Sequence, residues 1–371
     1  MQDFHYFDNA ATTMISDRAL EAYESCCRLH MANPSASYAP GRESKAFLND
    51  CRSRMAKVLG VQADQLFFTS GASESSAIVM ESLLWAKSPG KVLISALEHE
   101  AVSSFTPLLK EKGWTVEVLP AKGGFISPDT LEAKLTKEVR LVAVMAVSNV
   151  LGTVQDIDGL VSVTRRKEAE FGRPILFFSD CVQAFGKAEL RLRDWSLDAA
   201  SFSAHKIHGP RGVGLLYLKK GQIQSLSHAG GPDKGVRGGT ENLPAIAAFT
   251  VAAEELAQRD DEEIRRLNDI VRTGLEGTKY SILTPREGST PYILTIAGPL
   301  PSEVAMRMLQ DRGFLLSSGS ACSNNERGKA EAIFRASGFA KAAGGALRIS
   351  FSHDNTPEEA QLLVEALKEI G

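Results

Sequence analysis

Long apolar runs, paired cysteines and an excess of either charge are all missing from this chain of 371 residues. The densest apolar stretch, Leu141 to Val147, is strand-length and far too short to cross a bilayer, so no membrane partner is expected. Five cysteines, at 26, 27, 51, 181 and 322, form neither a disulfide framework nor a CxxC metal site. That usage fits a reducing, cytoplasmic compartment. A net charge of −3 leaves no electrostatic footprint for nucleic acid. The opening residues, MQDFHYFDNAATT, lack the basic and apolar regions of a secretory signal, and none is expected.

What is present is an ordinary soluble composition, 43% hydrophobic and 23% charged, long enough for two domains and a cofactor cleft. Strands are predicted at Leu66–Thr69, Lys91–Ser95, Thr115–Leu119, Leu141–Val147, Ile175–Ser179, Ala199–Ser203 and Val213–Leu218. Helical patterns at Ser75–Trp85, Ala101–Lys112 and Leu160–Phe171 alternate with them. This alternation predicts an α/β fold, a mostly parallel sheet wrapped by helices. From Leu243 to about Glu276 one long helical stretch is predicted to connect two domains. Past it, Tyr292–Ile296, Ser302–Arg312, Leu347–Phe351 and Pro357–Ile370 read as a smaller α+β domain.

Several segments carry chemistry. Lys206 ends Ser203-Ala204-His205-Lys206, after a buried strand and before a glycine-rich turn, where α/β sheets place ligands. A desolvated amine suits Schiff-base chemistry; the alternative is a surface lysine in a loop. His205 and His208 could be metal ligands, but no third ligand is evident nearby, and no metal is expected. Asp180 closes an apolar strand, and a buried carboxylate there could pair with a protonated pyridine nitrogen or simply cap a turn. The junction Ser70-Gly71-Ala72-Ser73-Glu74 is neither GxGxxG nor a Walker loop. It could cup a single phosphate on backbone amides, or be a plain helix cap. Cys322 lies in a polar Ser/Gly/Asn segment that suggests an exposed thiol, whereas Cys26, Cys27 and Cys51 sit in helical patterns and are expected in the core. Cys181 is expected to pack on the face opposite Asp180. His99 could stack on an aromatic cofactor or cap the next helix. Arg348, a charge inside an apolar run, suggests bidentate capture of a carboxylate or a structural ion pair.

In order and spacing the chain resembles the cysteine desulfurases of the nitrogen-fixation and iron–sulfur-cluster type, in the class V aminotransferase family of fold-type I enzymes dependent on pyridoxal 5'-phosphate. The resemblance runs from Tyr6-Phe7-Asp8-Asn9-Ala10-Ala11-Thr12-Thr13 to Arg348. It passes through Asn33-Pro34-Ser35, Glu98-His99, Asn149-Val150-Leu151-Gly152, Ser179-Asp180-Cys181-Val182-Gln183, Ser201 to Pro210, Arg237 to Asn242, and Ser317 to Cys322. It implies a large cofactor-binding domain with a mostly parallel seven-stranded sheet, residues 13–255. A small domain of residues 1–12 and 256–371 would carry the cysteine loop. It implies that Lys206 bonds to the cofactor and shuttles the α-proton, that Asp180 pairs with the pyridine nitrogen, and that His99 stacks on the ring. Gln183 would meet the ring hydroxyl, and Asn149 would lie against the cofactor. Ala72, Ser73, Ser203 and His205 would hold the phosphate, with Thr240 from the partner subunit of a homodimer. Asn33, Asn149 and Arg348 would bind the L-cysteine substrate. Cys322 would take its sulfur as a persulfide, release alanine and pass the sulfur to an acceptor protein, such as an iron–sulfur scaffold. The alternatives are a related family member, an aminotransferase or selenocysteine lyase, in which Cys322 carries no sulfur, and an inactive scaffold. Ser37 and Tyr38 stand where the family usually has a His, Ser73 replaces its commoner Thr, and the segment after Cys322 departs from its usual continuation.

Overall fold

A computed structural model describes residues 4–220, 223–225, 235–318 and 327–371. The chain opens with strand β1 (His5–Tyr6) and helices α1 (Asp17–Leu29) and α2 (Ala39–Leu59). Strands and helices then alternate as β2 (Leu66–Thr69), α3 (Ala72–Ser82), β3 (Lys91–Ser95), α4 (Glu100–Ser103), α5 (Thr106–Glu111), β4 (Thr115–Leu119), α6 (Pro128–Lys134), β5 (Val139–Ala143) and α7 (Ile157–Phe171). Three strands follow, β6 (Leu176–Asp180), β7 (Ala199–Ser203) and β8 (Gly214–Leu218). The remainder holds α8 (Leu243–Glu255), α9 (Asp261–Gly274), β9 (Ser281–Ile282), β10 (Ile293–Ala297), α10 (Ser302–Gln310), β11 (Phe314–Leu315), β12 (Ser317–Ser318), α11 (Arg327–Ala336), β13 (Ala346–Ser350) and α12 (Pro357–Ile370).

Strands β2 to β8 form one seven-stranded sheet in the order β2-β8-β7-β6-β5-β3-β4. Strand β8 runs antiparallel to both neighbours, and every other pair is parallel. The link between β7 and β8, residues 204–213, is too short for a crossover helix, so the chain turns straight back. Alternate residues serve two cores. Phe177 and Phe202 pack with Val142 and Leu215 on one face, while Phe178 packs with Leu141 and Leu216 on the other. Burial on both faces explains the continuous apolar runs in the sequence. Each such phenylalanine contributes ~2–3 kcal/mol through area removed from water. Gly214 is required where β8 passes the turn after β2, since a Cβ there would lie 2.5 Å from Gly71 Cα.

A second apolar cluster gathers Phe7 and Ala10 with residues drawn from α9, β10, β13 and α12, including Leu267, Leu294, Ile349 and Leu363. Its sheet has the order β12-β13-β10-β9, and β1 pairs with β11 beside it.

Local departures from expectation have local causes. The helical stretch from Leu243 is interrupted, because Arg259 is extended (φ −88°, ψ 142°) and Asp260 starts a new helix by accepting the Glu262 amide. The pattern Ala101–Lys112 divides into α4 and α5, the second beginning around Pro107, which lacks an amide donor. Regular pairing in β5 stops at Ala143, four residues short of Val147. Strand β6 reaches Asp180, which places that carboxylate on the sheet itself. Cys26 and Cys51 are buried as expected, but Cys27 is exposed, one step around α1 from Cys26.

Candidate active site

The carboxyl ends of β2, β3, β5, β6 and β7 open on one cleft of about 600 Å³, the place where an open α/β sheet leaves room for a ligand. Each strand delivers a different group. After β7, Lys206 projects into the cleft with Nζ donating to the carbonyls of Ala10 at 2.8 Å and Ala11 at 2.6 Å. At the end of β6, Asp180 is 4% exposed and accepts the Val182 amide at 3.0 Å. Burial raises its pKa, while His99 and Lys206 pull the other way. A carboxylate placed so deep calls for a cation facing it.

After β3 comes His99, whose Nδ1 accepts the Ala101 amide at 3.1 Å and so caps α4 while the ring lines the cleft. With Nδ1 accepting, the ring proton of the neutral form belongs on Nε2. The capping reading of His99 is thus observed, and the cap leaves its ring on the cleft lining. Beside it Glu98, 6% exposed, takes hydrogen bonds from Ser95 Oγ at 2.5 Å and Met145 N at 2.6 Å, both on Oε1. Burial pushes its pKa up to about 8, helped by the nearby Asp180 carboxylate and opposed by the Ser95 bond. Its Oε2 is buried without a partner among the described residues.

After β2, Gly71 leads into α3, and Ala72 and Ser73 occupy its first turn, where amides have no preceding carbonyl to meet. These amides, with Ser203 and His205, line one end of the cleft. His205 Nδ1 lies 3.2 Å from Thr12 Oγ1, and burial with Lys206 nearby lowers its pKa to about 4. A neutral His205 offers an anion a hydrogen bond and no charge. His208 turns away from the cleft lining, with Nδ1 donating to the Met14 carbonyl at 3.0 Å. The two imidazoles thus have separate partners and converge on no common point.

The facing wall comes from the second sheet. Arg348 on β13 donates to Asp8 Oδ1 at 2.8 Å, Ser317 Oγ at 3.0 Å and the Asn149 carbonyl at 3.0 Å. Its Nε and the side-chain Oδ1 of Asn149 are buried without partners among the described residues. A fork held from behind with a donor to spare suits a carboxylate guest. Gln183, 3% exposed, also lines the cleft, its Nε2 donating to the Ala10 carbonyl at 2.8 Å.

The cleft thus gathers Ala72, Ser73, His99, Asn149, Asp180, Gln183, Ser203, His205, Lys206 and Arg348 from distant parts of the chain. Asn33 and Thr240 stand apart from its lining, exposed, with Asn33 Nδ2 3.4 Å from Thr240 Oγ1. Cys322 lies outside the described residues. Sequence reasoning gave no role to Asp8, to the Ala10 and Ala11 carbonyls, to Glu98 or to Lys187. Asp8 stands inside a motif already singled out, whereas a backbone carbonyl leaves no residue signature.

The donor set fits pyridoxal phosphate. An amine would meet its aldehyde, a buried carboxylate its ring nitrogen, and a helix start with hydroxyl and imidazole neighbours its phosphate.

Comparison with known proteins points the same way. The profile of the class-V aminotransferases matches residues 5–363. A NifS/IcsS protein homolog of Lactobacillus delbrueckii subsp. bulgaricus is 35% identical, the match covering 98% of this chain and 96% of that protein. A cysteine desulfurase of Cereibacter sphaeroides is also 35% identical, over 98% of this chain and 95% of its own. The solved structure of a NifS-like protein superposes with a TM-score of 0.90 at 33% identity, covering 99% of both chains.

Proposed function

Because this chain belongs to the class-V aminotransferase family, we propose that it is a pyridoxal-phosphate-dependent cysteine desulfurase. It would convert L-cysteine to L-alanine and load the sulfur on Cys322 for iron–sulfur or other thio-cofactor synthesis. The observation that carries this reading is Lys206 Nζ and the buried Asp180 carboxylate opening on one cleft.

Bound through Lys206, pyridoxal phosphate supplies an electron-poor ring that stabilises negative charge on the substrate α-carbon. Asp180 would keep the ring nitrogen protonated. His99 would lie against the ring, with Asn149 at its edge. Ala72, Ser73, Ser203 and His205 would hold the phosphate, joined by Thr240 of a second subunit in a homodimer; its position away from the lining of its own cleft supports that. Arg348 and Asn149, with Asn33, would bind the substrate carboxylate, and Lys206 Nζ would move the α-proton. The Cys322 thiolate would then attack the substrate sulfur, forming an S–S bond as the Cβ–S bond breaks. A sulfur-acceptor protein would collect the persulfide.

We place residues 13–255 in a cofactor-binding domain and 1–12 with 256–371 in a small domain, a division supported by the separate apolar cluster around Phe7 and Leu267. Among the described residues no helix is long and apolar enough to cross a membrane, in keeping with the proposed cytoplasmic location.

Cys322→Ser tests the reading. The variant should keep the cofactor's visible absorbance and lose alanine formation from cysteine under reductant. Wild-type rates of sulfide release would overturn the persulfide role, and amino transfer to 2-oxo acids would favour an aminotransferase instead.

A further inference from the structure

Lys187 has no part in the chemistry above, yet it is a charged residue only 7% exposed, four residues past Gln183 in the turns that follow β6. Burial, with Lys206, Arg348 and Arg259 near it, lowers its pKa to about 7. Its nitrogen meets an amide in place of a carboxylate, donating to Gln183 Oε1 at 2.9 Å. Gln183 in turn donates from Nε2 to the Ala10 carbonyl at 2.8 Å, and that carbonyl also accepts Lys206 Nζ at 2.8 Å. A buried chain therefore runs from Lys187 through Gln183 and Ala10 to Lys206.

The two ends of a glutamine amide have nearly the same shape, so its partners choose which end faces where. A carbonyl can only accept, and a lysine nitrogen, charged or neutral, still has hydrogens to donate. Ala10 and Lys187 together leave one arrangement: oxygen towards Lys187, nitrogen towards Ala10 and the cleft. The second hydrogen on Nε2 is then left for a group beside Lys206. In pyridoxal phosphate the phenolic oxygen is carried on the ring carbon next to the one bearing the aldehyde, so it is a polar substituent directly beside a Lys206 linkage.

We propose that Lys187 is a positioning residue that locks the Gln183 amide as a hydrogen-bond donor to the cofactor's phenolic oxygen. This rests on pyridoxal phosphate being joined to Lys206. A donor at that oxygen favours its unshared, anionic form and so lowers the pH at which the linkage gives up its proton. Removing Lys187 takes away the partner of Oε1 and leaves the Ala10 carbonyl alone to orient the amide, which loosens its donation to the cofactor.

The test is a pH titration of the visible band of the purified holoenzyme. Lys187→Met should raise the midpoint by about one pH unit, and Lys187→Arg, which keeps a donor, should restore most of the shift. In a Gln183→Leu background, Lys187→Met should add less than half of its effect in the native background. A normal band with an unmoved midpoint in Lys187→Met, or a full additional shift in the Gln183→Leu background, would overturn the proposal. If the methionine variant does not fold, Lys187→Leu makes the same measurement. A wild-type protein with no visible band would instead remove the cofactor reading itself.

Discussion

The two walls of the cleft are built by different means. The wall at the sheet's carboxyl edge takes Lys206, Asp180 and His99 from strand ends only a few residues from buried apolar runs. Their positions follow from where those strands stop. The facing wall takes Arg348 from β13, and holds it with Asp8, Ser317 and the Asn149 carbonyl, residues up to 340 positions away in the chain. The proposed reactive groups can thus be placed by local signals, whereas Arg348, the proposed substrate-holding group, takes its direction from long-range contacts.

Substitution can break this contrast at its strongest point first. Asp180→Ala should lower kcat roughly 10²- to 10³-fold, the usual effect of deleting one preorganised electrostatic partner. Steady-state kinetics at saturating cofactor would check it, and an unchanged kcat would remove Asp180 from the ring nitrogen. On the other wall, Arg348→Lys loses the planar fork and its bond network. KM for L-cysteine should rise about tenfold while the cofactor absorbance stays as it was. An equal loss of cofactor binding would mean that the walls do not divide the work as drawn.

Glu98→Gln probes the sheet-edge wall more gently. The Glu98 carboxyl has an ordinary value of 4.5 and is raised to about 8 in the fold. Between those values the folded state keeps a proton that the unfolded chain has lost, so wild-type stability falls as pH rises through that window. The glutamine variant lacks this dependence. Its thermal midpoint should gain about 2–4 °C on wild type between pH 5 and pH 8. A constant difference across that range would mean that Glu98 titrates normally.

Much of this was legible in the chain. The alternation of apolar strands with helical patterns predicts the seven-stranded sheet, because strands buried on both faces must be apolar throughout. Lys206, Asp180 and the Gly71 turn were legible for the same reason, since each is a polar residue or glycine ending such a strand. The break at Asp260 was missed because the residues on either side keep a helical pattern while a single capping carboxylate starts a new helix. The exposure of Cys27 was missed because neighbouring cysteines on one helix point about a quarter-turn apart. Lys187 gave no signal, as a lysine at a strand-following turn is ordinarily solvated.

By itself the sequence determined the sheet, its reactive strand ends and the family motifs, since these rest on periodicity and on residues adjacent in the chain. Only the tertiary structure decided which groups share a space: Asp8 behind Arg348, the Ala10 carbonyl between Lys206 and Gln183, and Lys187 beneath that amide. Hydrogen bonds act over about 3 Å, and contacts of that length between distant residues exist only after the chain has folded.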